Sequence, residues 1–402
     1  MRNNKNLWIL MFGVLGAELG MWLGLIGNLE FLQKNVESSF NQSLILIIGI
    51  ATGFIFGPWA GTLIDTLNKK FVLILSGVVR IFAVLFMLMA VNLNSVIWML
   101  VSMFLIGIAS SFYFPGVQSI IPLIVKEEKS LIEANAIQMN VMTFARIIGT
   151  ALAGALLLII SLKEIYTYSL IAYSILLIST FFLKFEEPKK VVSKRGKKKF
   201  AFKEVFPIIK SNPLVFKSLV LSIIPFSFIS GFNLIVIEVS NIQSDPSIKG
   251  LLYTVEGLSM IVTGFLVKSL VKKKDIINFI ILSCVLMFIS EFLLIFSSAT
   301  IIPFISFFLF GLSCGIFMPL TATLYQRQIE SEFHGRFFSF KRIVETGIGQ
   351  IALLTLGAGL DILDLTELMI FVTVISLIII IYTIAAPSLR DEKEKDVDEV
   401  SW

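Results

Sequence analysis

Glu18, Glu238, Glu256, Glu291, Glu345, Arg80 and Arg146 stand inside long apolar runs. A charge at the centre of a bilayer costs at least about 2.5–3.5 kcal/mol and marks a functional position by default. An unpaired carboxylate in hydrocarbon is driven toward its neutral form, the property that a proton-coupling or cation-binding group needs. Glu18, in the middle of GAELGMW, and Glu256 are the first such candidates. Arg146 and Glu238 are the next, and Glu18 with Arg146 makes a candidate internal pair. Glu238, Glu291 and Glu345 also fit helix-end residues that reach water. Arg80 lies about nine residues into its run, roughly 14 Å deep at about 1.5 Å per residue, and either acts there or snorkels to the surface. Covalent chemistry has little to work with. The chain has one histidine, His334, and two isolated cysteines, Cys284 and Cys314, so neither a metal centre nor a disulfide framework is expected. No GxxxxGK[ST] loop is present, so ATP is not the expected driver and no cofactor is implied.

The elements that must carry these residues are membrane spans. The chain is 56% hydrophobic and 15% charged, against about 25% charged for soluble domains. Its mean hydropathy is +0.91. A spanning helix needs about 20 apolar residues. Twelve runs qualify: 7–32, 43–64, 71–92, 96–124, 134–160, 165–183, 215–238, 250–271, 275–297, 300–325, 341–362 and 366–386. Six fall on each side of a basic stretch containing KKVVSKRGKKK. The expected organisation is an N-terminal half, 1–184, a basic linker, 185–214, a C-terminal half, 215–388, and a charged tail, 389–402.

Basic loops stay in the cytoplasm. With the linker inside, both termini are inside as well. The outer loops then hold only Lys34, Lys163 and Lys249 of the 33 basic residues. The net charge of +5 therefore records topology, and nucleic acid is not the expected partner. The first run has no small-residue cleavage pattern and reads as a span rather than a removed signal. Lysine outnumbering arginine, with abundant isoleucine, points to an AT-rich genome and a bacterial cytoplasmic membrane.

The two halves echo each other. GIASSFYFP (Gly107–Pro115) and GLSCGIFMP (Gly311–Pro319) are 204 residues apart. GTLIDTLNKK and GFLVKSLVKKK, which start at Gly61 and Gly264, are 203 apart. Duplicated halves that rock about a site near the midplane are the architecture of a secondary transporter. Gly107, Pro115, Gly311 and Pro319 are the expected packing or hinge positions. Gly13, Gly16, Gly20, Gly24 and Gly27 form one helical stripe, and Gly49, Gly53, Gly57 and Gly61 another. Such stripes let backbones approach closely in lipid.

GTLIDTLNKK resembles the loop signature of the major facilitator superfamily, through Gly61, Leu63, Asp65, Lys69 and Lys70. The resemblance implies an all-α fold of twelve helices in two six-helix halves. It also implies a cytoplasmic charge network in which Asp65 and its basic neighbours hold one access state. The second-half echo has Lys268 in place of the acid, so its gate is expected to rest on Gly264, Gly335 and Arg336. Arg80, IPLIVKEEKSLIEANA, RIIGTALAGALL and HGRFFSFKR resemble the drug- and macrolide-efflux branch. The first of these three stretches looks like the branch's loop between spans four and five. The branch implies proton-driven export of small amphipathic compounds by a monomer. One departure is Met103, which stands where many proton-coupled exporters carry an arginine, so any relay must use other residues. The 37 Phe and 13 Met offer an adaptable lining, with FFLFGLSCGIFMP as the first choice. A metabolite, siderophore or lysophospholipid is the alternative cargo, and a membrane enzyme or a sensor the distant ones.

The loop skew makes a direct prediction. A cysteine at Lys163 should react with an impermeant thiol reagent in intact cells, and one at Lys198 only after permeabilisation. Labelling at Lys198 in intact cells would overturn the twelve-span assignment.

Overall fold

The structure, a computed structural model, describes residues 4–125, 128–185, 205–270, 276–330 and 333–385. Its regular elements are helices. The first six are α1 (Lys5–Asn35), α2 (Ser39–Thr66), α3 (Lys69–Leu93), α4 (Val96–Ile124), α5 (Glu128–Leu156) and α6 (Leu162–Phe182). Then come α7 (Val205–Ser211), α8 (Pro213–Leu221), α9 (Ile223–Gln243), α10 (Ile248–Leu270) and α11 (Ile276–Leu294). The last three are α12 (Ile301–Gln328), α13 (His334–Leu360) and α14 (Leu365–Ala385). Among the described residues, 11 segments are long and apolar enough to cross a membrane, with α8 and α9 forming one of them. The 23-residue α10 brings the long helical segments to the twelve expected. Large side chains such as Phe12, Phe182, Phe371 and Ile378 remain exposed, which is how a lipid-facing surface is built.

Local signals set the ends. Asn4, Ser38, Asn68 and Asn212 accept hydrogen bonds from the first turns of α1, α2, α3 and α8. Ser161 and Glu164 form a reciprocal capping box on α6. The structure departs from expectation at the fourth loop. Glu128–Glu133, expected as loop ahead of the run 134–160, is the first part of α5, and α5 stops at Leu156 rather than at residue 160. Residues 128–136 carry charge on a helical period, which a hydropathy window cannot see.

The chain divides into two compact units, Met1–Lys194 with Ser244–Thr254, and Arg195–Gln243 with Val255–Trp402. In the first, α6 lies along the glycine stripe of α1. A Cβ at Gly16 would come within 2.6 Å of the Ala172 carbonyl, and one at Gly20 within 2.8 Å of the Tyr173 ring. Ser169 Oγ donates to the Gly20 carbonyl at 2.8 Å, and Ser76 Oγ on α3 to the Ala109 carbonyl on α4 at 2.8 Å. In the second unit Ser290 and Ser306 exchange hydrogen bonds between α11 and α12, and Ser313 Oγ donates to the Ser283 carbonyl at 2.7 Å. Small residues and hydroxyls do this work because lipid tails give no hydrophobic reason for two helices to associate.

The sequence echo is an echo of packing. Gly107 on α4 receives the Thr52 side chain of α2, and Gly311 on α12 receives Ser259 and the Glu256 carbonyl of α10. Pro115 and Pro319 both lie inside these helices. By contrast, a Cβ at Gly53 or Gly57 would meet nothing within 4 Å. Gly107→Val should therefore lower thermal stability in detergent by about 1–3 kcal/mol through overpacking, with Thr52→Ala recovering part of the loss. Gly57→Ala should leave the melting temperature unchanged.

Candidate functional site

Glu18 and Trp22 are four residues apart on α1 and so share a face. The field of Arg80 on α3 reaches the Glu18 carboxylate, and the buried Trp22 indole N–H has no hydrogen-bond partner among the described residues. Arg80 does not snorkel, for its side chain is 3% exposed. Its guanidinium lies between two rings, 4.9 Å from the Tyr113 centroid and 5.2 Å from that of Tyr173. Nη2 donates to Ser110 Oγ at 3.1 Å. Nε, Nη1 and the Tyr113 hydroxyl are buried and have no hydrogen-bond partner among the described residues. Tyr173 reaches this place only because Gly20, two residues after Glu18, has no side chain. The glycine stripe thus serves the site as well as the packing.

Arg146 on α5 meets the ring that neighbours Glu18 on α1. Its guanidinium stacks over the Trp22 ring at 5.1 Å, and Trp22 meets Tyr253 edge to face at 5.9 Å. One acid and two guanidiniums are therefore held in a frame of four aromatic rings within the first unit. Guanidinium–ring contacts offset part of the cost of burying the cations. The arrangement can exchange a proton at Glu18 against the field of Arg80, and it can offer N–H donors to a ligand's acceptors. Among the described residues no His, Cys, Asp or Glu cluster could hold a metal ion.

The other candidates are spread out. Glu256 on α10 is buried and its carbonyl accepts from Ser259. Glu238 on α9 accepts from the Asn241 side chain at 3.1 Å. Glu345 pairs with Lys341 one turn away at 2.7 Å, and Glu291 is buried within α11. Phe307 and Phe310 from the stretch expected to line a pocket are packed against Phe228 and Phe232 in the core of the second unit. Of the loop motif, Lys70 Nζ donates to the carbonyls of Phe181 at 2.7 Å and Leu183 at 2.8 Å, closing the C-terminus of α6. Asp65 lies in the last turn of α2. The side-chain surroundings at Gly61, Asp65, Gly264, Gly335 and Arg336 lie outside the described residues.

One pair was not expected. Glu30, near the end of α1, binds Lys34 Nζ and Lys249 Nζ, each at 2.8 Å. Lys249 is 0% exposed, Glu30 3% and Lys34 62%. Lys249 was expected as a loop cation, and no spacing rule joins residues 219 apart. What brings it here is a backbone contact. Gly154 of α5 and Gly250 approach so closely that a Cβ on either would strike the other's backbone. Thr150 and Thr254 hydroxyls meet at 3.2 Å alongside.

The family model described as Major Facilitator Superfamily matches residues 10–354. No curated protein sequence matches. Among solved structures, the nucleoside transporter NupG superposes with a TM-score of 0.76 at 14% identity, covering 96% of this chain and 99% of that one. A bacterial homologue of the iron transporter ferroportin in an inward-facing state gives 0.75 at 16% identity, covering 95% and 99%. A bacterial homologue of the human lysosomal transporter Spinster, inward-facing and unoccupied, gives 0.62 at 12%, covering 94% of each.

The buried pair predicts unequal effects. Glu30→Gln removes the carboxylate that the buried Lys249 ammonium binds and should cost about 3–5 kcal/mol. Lys249→Met leaves Glu30 its Lys34 partner and should cost less, and the double variant should recover most of the loss. Thermal unfolding of the four proteins in detergent checks the order.

Proposed function

This chain belongs to the Major Facilitator Superfamily, and we propose that it is a secondary active exporter of small amphipathic compounds, driven by exchange for protons. The observation that carries the proposal is the Glu18–Arg80 site, an acid and a fully buried cation held among aromatic rings inside apolar helices. With its proton, Glu18 is neutral and leaves Arg80 unbalanced. Without it, the carboxylate and the guanidinium balance each other. The two states differ in internal charge, so a proton taken up from one side biases one access state over the other. Trp22, Tyr113, Tyr173 and Tyr253 supply flat apolar surface with polar edges, which suits amphipathic cargo of the drug or macrolide kind. We place the protein in a bacterial cytoplasmic membrane with both termini inside, acting as a monomer of two six-helix halves, 1–184 and 215–388, joined by the basic linker 185–214. Asp65 with Lys69 and Lys70 forms the inner gate in this reading. Lys70 on the end of α6 is the part of that network on which the reading rests.

A second reading has its own support. Arg80 Nε, Nη1 and the Tyr113 hydroxyl, which have no hydrogen-bond partner among the described residues, fit an acceptor-bearing metabolite better than a cationic drug.

Glu18→Gln mimics the protonated acid and cannot cycle. In proteoliposomes it should abolish uphill export while substrate binding and downhill exchange persist. Wild-type uphill export by the variant would remove Glu18 from coupling. Loss of binding confined to cationic compounds would make it a substrate partner instead. Arg80→Gln separates the cargo readings, since it should abolish binding of anionic compounds only if the metabolite reading holds.

A further inference from the structure

We propose that α1 and α6 hold an anionic phospholipid in a groove at the end of the bundle where α1 begins. The groove has a volume of about 770 Å³. Ligand sites span about 300–1,000 Å³, and this open groove has room for a ligand of that class. Its walls include Trp8, Phe12, Ile178 and Phe182, all exposed, with Lys5 and Lys184 at its mouth.

The helices themselves create the space. α1 and α6 touch most closely at Gly16, and at Gly13 a Cβ would lie 2.6 Å from Ser179 Oγ. Below that contact the same face of α1 presents Phe12, Trp8 and Lys5, one turn apart, and α6 presents Ile178 and Phe182. Bulky residues line the sides of a cleft whose floor is fixed by the glycine contact. The mouth is fixed too. The Lys184 backbone N–H donates to Asn6 Oδ1 at 3.2 Å, which holds the two lysine-bearing segments side by side.

The charge at the mouth needs a partner. Carbonyls at the C-terminus of α6 would ordinarily attract nearby cations, but Lys70 already occupies those of Phe181 and Leu183. Lys5 and Lys184 are both exposed, and neither has an acidic partner among the described residues. Apolar walls open to lipid call for a flexible hydrocarbon chain. Two ammonium groups at the rim, with a tryptophan beside them, call for a headgroup of net negative charge. A phospholipid such as phosphatidylglycerol supplies both on one molecule. Its phosphate oxygens accept from the two Nζ groups, and an acyl chain lies along Phe12 and Ile178. A zwitterionic headgroup brings its own cation and gains less.

Native mass spectrometry of the full chain in mild detergent tests this with phosphatidylglycerol and phosphatidylcholine of matched chains. Wild type should retain phosphatidylglycerol about tenfold more tightly. Lys5→Gln with Lys184→Gln should bring the two lipids level, and the charge-matched Lys163→Gln with Lys210→Gln should leave the preference intact. A benzoylphenylalanine at Phe182, in otherwise wild-type protein, should crosslink phosphatidylglycerol in preference to phosphatidylcholine. Equal retention of the two lipids by wild type, equal loss in both double variants, or crosslinking without headgroup preference would overturn the proposal.

Discussion

Hydrocarbon offers no hydrogen bonds, so each backbone N–H and C=O that enters it must be satisfied within its own segment. From this one constraint the rest of the structure follows. Spanning segments must be helices, and such helices gain nothing hydrophobic by leaving lipid for each other. They associate instead where glycine allows backbone contact and where a serine or threonine can reach a neighbouring carbonyl. Gly16 against Ala172, Ser76 on Ala109 and the Ser290–Ser306 exchange are examples. The same absence of water makes each internal charge costly enough to require a built environment.

The charges in the first unit meet that requirement in two ways. Glu30 and Lys249 are paired and nearly sealed, with Lys34 as an outer companion. Such pairs are weak evidence for stability but are expensive to break on one side. Glu18 and Arg80 are less complete. The guanidinium has ring faces and one hydroxyl, but two of its nitrogens have no partner among the described residues. A fully matched pair resists change, whereas an incompletely matched one responds to a proton or a ligand. The first kind suits a structural anchor and the second a working site.

Packing and function share residues here. Gly20 lets Tyr173 in against α1, and Tyr173 then forms one face of the Arg80 site. Gly107 and Gly311 make one kind of close contact in each unit, which gives the likeness of GIASSFYFP and GLSCGIFMP a packing role. The open faces at Gly53 and Gly57 are different in kind, since there a Cβ would meet nothing within 4 Å among the described residues.

The sequence by itself determined the helical class and the count of long apolar segments, because length and hydropathy are local and the bilayer permits little else. It also marked Glu18 and Arg80, since a charge in an apolar run is conspicuous without any coordinates. It could not say that Arg80 lies between Tyr113 and Tyr173 while Arg146 lies over Trp22, because that depends on the rotation of α3 and α5 about their axes. It could not foresee the aromatic frame, for phenylalanine, tyrosine and tryptophan in a span look the same whether they face lipid, core or a guanidinium. Phe307 and Phe310 proved to be core for this reason. The Glu30–Lys249 pair was beyond its reach altogether. A lysine after a turn reads as solvated, and only the meeting of Gly154 with Gly250, a contact between distant segments, buries it against an acid.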